Sequence, residues 1–409
     1  MPETDEFRAE FNRGKEGTAF MTKWIYADHA ATTPLSKAAL AAMGPYLTEE
    51  FGNPSAVSAP GRRAKRALEE ARETVADAFG AEPREIYFTS GGTEADNWVL
   101  RSAPRAAGAG RDEIVTDTVE HHAVLRTAGE LRRAGRPVTV LGVDEFCRVT
   151  PEALRCALSA KTALVSVMAA NNEVGTLMPV AELAAAARGS GAFFHTDAVQ
   201  AAGHIPLDVK ELGVDFLSFS SHKFGGPKGM GGLYVRGGIE LEPLLFGGGQ
   251  ERGLRPGTEN VAGAVGMAAA LRESCRAMTE NMARVSALRD RLIRGVLRIP
   301  GSRLTGDPEN RLPGNASFVF EGVEGEALLL LLDQRGICAS SGSACSAGAA
   351  EPSHVLLAMG IAPELARGAL RLTLGADNTG ADVDAILGAL PGIVARLRSV
   401  PAMGKGIGT

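Results

Sequence analysis

The chain has 409 residues, of which 45% are hydrophobic and 22% are charged, so it is long enough to form two domains with substantial cores. Its formal net charge is -5, and acidic and basic residues are mixed along the sequence, which argues against nucleic acid or an anionic membrane as a partner. The longest apolar run, residues 327–332, is far too short to span a bilayer.

Residues 1–21 are polar and charged and contain little that a core could bury. We expect either a mobile N-terminal extension or a translation start at Met21. We expect no secretory signal, because no charged segment leads into an apolar run with a small-residue cleavage site. The cysteines are scattered without a Cys-x-x-Cys pair, which favours a reducing cytoplasm over a disulfide framework or a zinc site. They are Cys147, Cys156, Cys275, Cys338 and Cys345.

Residues 22–260 alternate between strand-like and helix-like patterns, which is typical of a large, doubly wound α/β domain with a mostly parallel sheet. Helices are predicted at residues 62–79 and 179–188. Ligands of such sheets bind at the carboxyl ends of the strands, so we expect the site there. Strands are predicted at residues 113–116, 137–141, 163–168, 193–195 and 216–219.

Residues 258–297 are predicted to form largely one long helical stretch that links this domain to a second one. Residues 261–409 are predicted to form a smaller α+β domain, because their pattern no longer alternates regularly between strand and helix. Its predicted strands are residues 316–320 and 369–374, and its predicted helices are residues 324–334, 352–359 and 381–398.

A lysine follows one of the predicted strands. The apolar residues 214–219 lead through two serines and His222 to Lys223, after which a Gly/Pro turn begins. Poor solvation at such a position favours the neutral amine, which can form a Schiff base. The alternative is an ordinary surface lysine at a strand end. A nucleotide-binding loop is excluded, because no Gly-Lys-Ser/Thr follows the glycines.

Asp197 ends another apolar, strand-like stretch. A carboxylate at a strand end can keep a pyridine nitrogen protonated, which is the acidic partner that pyridoxal phosphate requires. Alone, Asp197 would be interpreted as a turn or helix-cap acid. Asp197 and Lys223 both end apolar strands, roughly one strand and one connection apart, which indicates a single site.

Two further patterns predict anion binding. Gly91, Gly92 and Thr93 follow a strand-like stretch and precede a helix, so their N–H groups and the Thr93 hydroxyl can hold a phosphate. An ordinary glycine turn is the alternative. Arg371 lies in a strand-like run, where its guanidinium fork suits a substrate carboxylate. A strand arginine that faces solvent fits the sequence equally well.

Residues 339–348 are mostly small and carry one thiol, Cys345. Such a run cannot pack a core, so we predict a mobile loop. A thiol on a loop is a candidate nucleophile, and the alternative is an incidental small hydrophobic residue. Cys338 lies in an apolar stretch and is predicted to be a buried small residue.

In this order, the segments around Asp197, Lys223 and Cys345 resemble those of the NifS/IscS-type cysteine desulfurases. These are pyridoxal-phosphate enzymes of fold type I in the class V aminotransferase group. The resemblance runs from about residue 24 to about residue 398. Its further motifs are Tyr-Ala-Asp-His-Ala-Ala-Thr-Thr-Pro at 26–34, Phe-Gly-Asn-Pro-Ser at 51–55, Phe-Thr-Ser-Gly-Gly-Thr-Glu at 88–94, Val-Glu-His at 119–121, Asn-Asn-Glu-Val-Gly at 171–175 and Gly-Gly-Gln-Glu-Arg-Gly at 248–253.

The resemblance implies a site built around pyridoxal 5'-phosphate. Lys223 would bind the cofactor, and Asp197 would hold its pyridine nitrogen. His121 would lie over the ring and move protons. Gln200 would bond the ring hydroxyl, and Asn172 would lie beside the ring and the substrate.

The resemblance also implies how the phosphate and the substrate are held. Arg371 would bind the substrate carboxylate. Thr258 would reach the phosphate of the neighbouring subunit, so the enzyme would be a homodimer with composite sites. The residues implied to hold the phosphate within one subunit are Gly92, Thr93, Ser220 and His222.

The implied activity is cysteine desulfuration. Lys223 would act as the base at the alpha carbon of L-cysteine, sulfur would pass to Cys345 as a persulfide, and alanine would be released. An iron–sulfur scaffold or another acceptor protein would then take the sulfur. The resemblance implies no resident metal, although Cys345 could be a transient iron–sulfur ligand.

Two other functions remain open from the sequence. A selenocysteine lyase or another enzyme of the class V aminotransferase fold is the alternative, although an aminotransferase would not need Cys345. A catalytically silent scaffold is a rival from another class. The chain departs from common family residues at His29, Ala30, Ser346, Ala347 and Leu372, which leaves the acceptor protein undetermined.

Overall fold

A computed structural model describes residues 24–342 and 352–399 of the chain. Its strands are β1 (Ile25–Tyr26), β2 (Ile86–Thr89), β3 (Glu113–Asp117), β4 (Val138–Leu141), β5 (Thr162–Ser166), β6 (Phe193–Asp197), β7 (Phe216–Ser220), β8 (Gly231–Val235), β9 (Ser302–Leu304), β10 (Asn315–Phe320), β11 (Ile337–Cys338) and β12 (Ala369–Thr373).

The helices of the same residues run between these strands. They are α1 (Lys37–Thr48), α2 (Ala59–Ala78), α3 (Gly92–Ala106), α4 (His122–Arg133), α5 (Pro151–Ala157), α6 (Val180–Gly189), α7 (Val209–Leu212), α8 (Val261–Arg276), α9 (Met278–Val296), α10 (Gly325–Asp333), α11 (His354–Ala358), α12 (Pro363–Ala366) and α13 (Gly380–Ser399). Short 3-10 segments lie at Pro83–Glu85, Ser221–Lys223 and Glu251–Gly253.

Among the described residues, the largest sheet has seven strands in the order β2-β8-β7-β6-β5-β3-β4. The pairs from β4 across to β7 are parallel, whereas β8 runs antiparallel to both β2 and β7. All residues of β5, β7 and β8 are buried, as expected when helices cover both faces of a sheet. The doubly wound, mostly parallel α/β fold predicted from the sequence is therefore confirmed.

The carboxyl ends of β6 and β7 lie side by side in this sheet. Asp197 is the last residue of β6 and pairs in register with Ser218 of β7. Strand β7 ends two residues later at Ser220, and Lys223 closes the 3-10 segment that follows. The parallel pairing therefore brings Asp197 and Lys223 to the same edge of the sheet, where ligands of such folds bind.

A second core lies in the C-terminal part of the chain. The antiparallel strands β9, β10 and β12 form a small sheet, and helices α9, α10 and α13 contribute apolar side chains to the same core. Strand β1 pairs with β11, and Ala27 lies in this second core. The N-terminal strand thus packs against the C-terminal part of the chain, while the domain boundaries at 22–260 and 261–409 stay a prediction.

The single long helical stretch predicted for residues 258–297 is wrong. Two helices, α8 and α9, occupy this region, and the chain leaves the helical conformation at Ala277, with φ -92° and ψ 1°. Helix α8 packs against α1 and α2, whereas α9 packs against α13. The break lies where the chain changes its packing partner, and neither a glycine nor a proline marks it in the sequence.

None of the helices in the described residues is both long and apolar enough to cross a membrane. The same residues also contain no group of three or more histidine, cysteine, aspartate or glutamate side chains that could hold a metal ion.

Candidate active site

Lys223 contacts the motif at residues 26–34, near the start of the described chain. Its Nζ donates to the carbonyl oxygen of Ala31 at 2.9 Å and also to that of Ala30. The backbone oxygen of Lys223 lies 2.8 Å from Nε2 of the half-buried His204, which helps to hold this turn in place. The sequence-predicted lysine is therefore held at the sheet edge and is partly shielded from solvent.

Gln200 and Lys223 donate hydrogen bonds to the same backbone oxygen. The Nε2 of Gln200 donates to the Ala30 carbonyl oxygen at 3.0 Å, and this is one of the two oxygens that Lys223 contacts. Gln200 follows β6, and Lys223 follows β7. The tertiary structure thus brings three sequence-distant motifs together around one carbonyl group.

Asp197 is 5% exposed, and its Oδ1 accepts the N–H of Val199 at 2.8 Å. Burial raises the pKa of the Asp197 carboxyl, and the charges of His121 and Lys223 oppose that rise. These opposing contributions mean that the buried carboxyl lies within electrostatic reach of both predicted partners. A buried acid between an imidazole and an amine suits a positively charged ring nitrogen.

His121 caps the N-terminus of α4. Its Nδ1 accepts the backbone N–H of Ala123 at 3.1 Å, so the neutral imidazole carries its proton on Nε2. His122 instead faces His354, with ring centroids 4.8 Å apart. The Nε2 of His354 lies 3.2 Å from the backbone oxygen of Glu120.

A cavity of about 380 Å³ opens at the N-terminus of α3. Helix N-termini present unpaired N–H groups and a positive dipole end, so the cavity suits an anion. A Cβ atom at Gly92 would lie 2.5 Å from Cγ2 of Val199, so this position accepts only glycine without a shift. The four residues predicted to hold the phosphate all line this cavity: Gly92, Thr93, Ser220 and His222.

Four polar residues of the cavity lining received no role from the sequence: Thr32, Ser90, Glu94 and Lys228. The Oγ1 of Thr32 lies 3.0 Å from Nδ1 of His222. Burial, followed by the charges of Lys223 and Lys228, lowers the pKa of His222 to about 4, so its imidazole is neutral at pH 7. Thr32 belongs to the motif at residues 26–34, and Lys228 belongs to the Gly/Pro turn after Lys223, but each lies far from α3 in sequence.

These features fit pyridoxal phosphate. The cavity at α3 offers N–H groups, hydroxyls and a lysine to a phosphate, and its glycine leaves room for the anion. The amine of Lys223 and the buried acid Asp197 lie at the adjacent strand ends. An anion cradle, an amine and a buried acid are the groups that this cofactor needs from a protein.

Arg371 lies in β12 and is 3% exposed. Its Nη1 donates to the backbone oxygen of Asn172 at 2.9 Å, and its Nη2 donates to Oδ1 of Asp28 at 3.0 Å. Its Nε has no hydrogen-bond partner among the described residues. The structure therefore brings Arg371 beside Asn172 and leaves its Nε–H, besides the second N–H of each Nη, for a ligand.

Two predicted residues are not brought into this arrangement. Thr258 is exposed and does not line the cavity at α3. The segment that contains Thr258 nevertheless contacts the edge of this cavity. Arg255 donates to the carboxylate of Glu94, a lining residue, at 2.8 and 3.1 Å. Cys345 lies outside the described residues, between Gly342 and Ser353 in sequence.

Comparisons with known proteins agree with this geometry. The family model described as "Aminotransferase class-V" matches residues 25–386. A relative from Methanosarcina thermophila, named "Cysteine desulfurase IscS", is 49% identical over 388 residues, which cover 94% of this chain and 95% of that relative.

Solved structures show the same similarity. A "NIFS-LIKE PROTEIN" has a TM-score of 0.86 at 38% identity, covering 91% of this chain and 100% of its own. "SspA in complex with cysteine" has a TM-score of 0.76 at 33% identity, covering 86% of this chain and 98% of its own. The chain belongs to the class-V aminotransferase family and, within it, to the pyridoxal-phosphate-dependent cysteine desulfurases.

Proposed function

We propose that this chain removes sulfur from L-cysteine, releases L-alanine and retains the sulfur as a persulfide on Cys345. The main support is that Lys223 and Gln200 both donate hydrogen bonds to the Ala30 carbonyl oxygen. Lys223 also lies within electrostatic reach of Asp197. One similar solved structure is described as "SspA in complex with cysteine", which supports cysteine as the substrate.

We assign the cofactor contacts to the residues that line the two strand ends. Pyridoxal 5'-phosphate, once bound, supplies an aldehyde that captures amines and a ring that withdraws electrons from the substrate carbon. Lys223 would hold the aldehyde end of the cofactor, and Asp197 would hold its protonated ring nitrogen. Gln200 would donate to the ring hydroxyl, and Asn172 would lie beside the substrate.

We assign the phosphate to the cavity at α3. The N–H groups at Gly92 and Thr93 point along the helix dipole toward an anion. His222 is neutral at pH 7 and donates one hydrogen bond, because its pKa is lowered to about 4 by burial and by two lysines. The positive charge of Lys228, on the same wall, balances the phosphate charge.

Proton transfer falls to Lys223 and His121. As a free amine, Lys223 would take the proton from the alpha carbon of the substrate. Nδ1 of His121 accepts a backbone N–H, so the proton that this imidazole could pass on lies on Nε2. His121 would therefore serve as the proton carrier beside the cofactor.

Arg371 binds the substrate carboxylate. Its unpartnered Nε and a neighbouring Nη form one side of the guanidinium fork, which matches the two oxygens of a carboxylate. The carboxylate would compete with Asp28 for Nη2, because Asp28 holds that nitrogen at 3.0 Å. Burial strengthens the ion pair between Arg371 and the substrate carboxylate, since Arg371 is only 3% exposed.

Sulfur transfer to Cys345 needs no external oxidant or reductant. The Cys345 thiolate attacks the substrate sulfur, so a sulfur–sulfur bond forms as the bond between sulfur and the beta carbon breaks. The electron pair of the broken bond stays with the carbon fragment. Protonation of that fragment yields alanine, so the beta carbon is reduced by two electrons while the Cys345 sulfur and the transferred sulfur are each oxidised by one.

We further propose that two copies form a homodimer. Large apolar side chains lie on the surface near α1 and near the segment before Thr258, including Phe51, Val57 at 90% exposure and Phe246 at 93% exposure. An apolar surface of this kind suits a second copy. Arg255 ties the Thr258 segment to the rim of the phosphate cavity, so a partner copy lying there brings its own Thr258 close.

The persulfide is then passed to an acceptor protein, for which an iron–sulfur scaffold is the proposed partner. This fits relatives named "Cysteine desulfurase IscS". Persulfide and free thiols need a reducing compartment, so we propose a cytoplasmic location. The sulfur atom of Cys345 would also contact iron transiently during transfer.

Mass spectrometry after brief exposure to L-cysteine tests the proposal. We expect one added sulfur on the Cys345 peptide together with an equal amount of alanine. The Cys345→Ala variant should keep the visible absorbance of the bound cofactor but form no sulfide, whereas Cys338→Ala should behave like the wild type. Normal desulfuration by Cys345→Ala would overturn the mechanism, and a higher rate with selenocysteine than with cysteine would move the assignment to a selenocysteine lyase.

A further inference from the structure

Glu173 lies at the junction of the substrate site and the second core. It is 3% exposed and directly follows Asn172, whose backbone oxygen accepts from Arg371 at 2.9 Å. Burial raises the pKa of the Glu173 carboxyl to about 7, and Ser353, Arg371 and His121 oppose this rise. The carboxyl is therefore surrounded by groups of the proposed site, although no role was assigned to it from the sequence.

One end of the Cys345 segment is attached to this carboxyl. The hydroxyl of Ser353 donates to Oε2 of Glu173. The same hydroxyl accepts the N–H of Leu356 at 3.3 Å and so caps α11. Val355 and Leu356 are fully buried in the core, so the helix that begins here cannot move independently. The C-terminal flank of the segment is thus fixed.

The other end of the segment reaches the same oxygen. Gly342 is buried, and a Cβ atom built on it would lie 2.4 Å from Oε2 of Glu173 and 3.3 Å from Cβ of Ser353. No side chain fits there unless the carboxyl moves. Gly342 therefore packs directly on Glu173, and the two flanks of the Cys345 segment meet at a single carboxyl oxygen.

The N-terminal flank is also joined to the substrate arginine. The backbone N–H of Ser340 donates to the oxygen of Arg371 at 3.1 Å, and the N–H of Arg371 donates to the oxygen of Ser340 at 2.6 Å. Two residues later the chain packs on Glu173 at Gly342. Glu173 therefore contacts this flank at Gly342, and Arg371 bonds the same flank at Ser340.

We propose that Glu173 is a positioning residue for sulfur transfer, because its carboxyl joins both flanks of the Cys345 segment to each other and to the substrate arginine. The inference deepens the proposed function and rests on it. The restraint acts at Gly342 and Ser353, which are described residues on either side of Cys345 in the sequence. Removing this restraint should disturb the orientation of the Cys345 segment and leave the reacting groups themselves unchanged, since Glu173 touches no reacting atom.

Two variants disrupt the junction in different ways. Glu173→Gln keeps the shape of the side chain but replaces one oxygen with an NH2 group, and Gly342→Ala forces the carboxyl away. We expect both to slow persulfide formation on Cys345 by on the order of 10- to 100-fold in a single turnover. The cofactor absorbance, the melting temperature and the cysteine concentration for half-saturation should change little.

Hydrogen–deuterium exchange gives a readout that does not depend on activity. Exchange of the peptides that cover residues 336–357 should increase in Glu173→Gln and Gly342→Ala, with or without cofactor. Ser353→Ala should increase exchange at the C-terminal flank, whereas Ser353→Thr, which retains the hydroxyl, should not. Gly388→Ala is the matched glycine control, because a Cβ there meets no atom within 4 Å.

The outcomes separate this inference from the proposed function. Unchanged exchange in Glu173→Gln and Gly342→Ala would overturn the anchoring role, whatever the nucleophile is. Slower persulfide formation that only follows a loss of cofactor or of melting temperature would also overturn it. A Cys345→Ala enzyme with normal activity would overturn the proposed function instead and would leave the exchange result standing.

Discussion

Lys223 and Gln200 donate to the same backbone oxygen, that of Ala30, from the ends of two adjacent parallel strands. One carbonyl group therefore sets the separation between the amine proposed to bind the cofactor aldehyde and the amide proposed to bind the ring hydroxyl. We expect Lys223→Ala to lose the visible absorbance of the cofactor and all alanine production.

The matched control for this variant is Lys228→Ala, which removes an ammonium from the wall of the neighbouring cavity. Lys228→Ala should retain the absorbance and only weaken cofactor affinity, because its proposed contact is with the phosphate. Absorbance spectra during titration with pyridoxal phosphate distinguish the two effects. Retained absorbance in Lys223→Ala would remove that residue from the cofactor site.

Arg371→Lys should raise the KM for L-cysteine by roughly 10- to 100-fold, because an ammonium cannot bind both carboxylate oxygens as a guanidinium does. The turnover number should fall less than the affinity. Arg303→Lys is the control, since Arg303 lies on β9 of the same small sheet but is exposed. Steady-state kinetics of alanine release measure both constants, and an unchanged KM would contradict the role of Arg371.

The burial of His222 produces a specific pH dependence in the cofactor-free protein. Its folded-state pKa, about 4, lies below the ordinary value of 6.5, so its contribution to stability is present above pH 6.5 and is lost as the pH falls through 4. The stability of the wild type relative to His222→Gln should therefore decrease between pH 6.5 and pH 4. Denaturant unfolding at several pH values measures this difference, and a constant value would contradict the prediction.

Composite sites in a homodimer predict complementation between two damaged subunits. Lys223→Ala and Thr258→Val subunits should each be impaired alone. In a mixed dimer, the Lys223 of one subunit would face the intact Thr258 of the other, so one site should regain wild-type cofactor affinity. Affinity that stays low in the mixed dimer would place Thr258 in its own subunit's site or outside any site.

The ion pair between Arg72 and Glu251 should be important for stability. Both side chains are nearly inaccessible, the pair is bidentate at 2.6 and 2.9 Å, and Glu251 also accepts the N–H of Phe88 at 2.9 Å. Arg72→Met leaves a buried carboxylate without its partner, so we expect a loss of about 3–5 kcal/mol in unfolding free energy. Arg66→Met, which removes an exposed i,i+4 partner of Glu70, should change little.

Several parts of the fold follow from local sequence patterns. Amphipathic spacing predicts α2, and apolar runs predict β3, β6 and β7, because burial on a helix face or inside a sheet selects residues at short, regular intervals. The break at Ala277 has no such signal, since it depends on which core each half of the region meets.

The sequence by itself determined the strand that ends at Asp197 and the strand that leads to Lys223, because an apolar run followed by polar residues is a local property of the chain. Only the tertiary structure decided that Thr32 meets His222, and that Gly342 and Ser353 meet at Glu173. These partners lie roughly 170 to 190 residues apart in the chain. Packing and hydrogen bonding between such distant segments depend on how whole elements are arranged, and no local pattern specifies that arrangement.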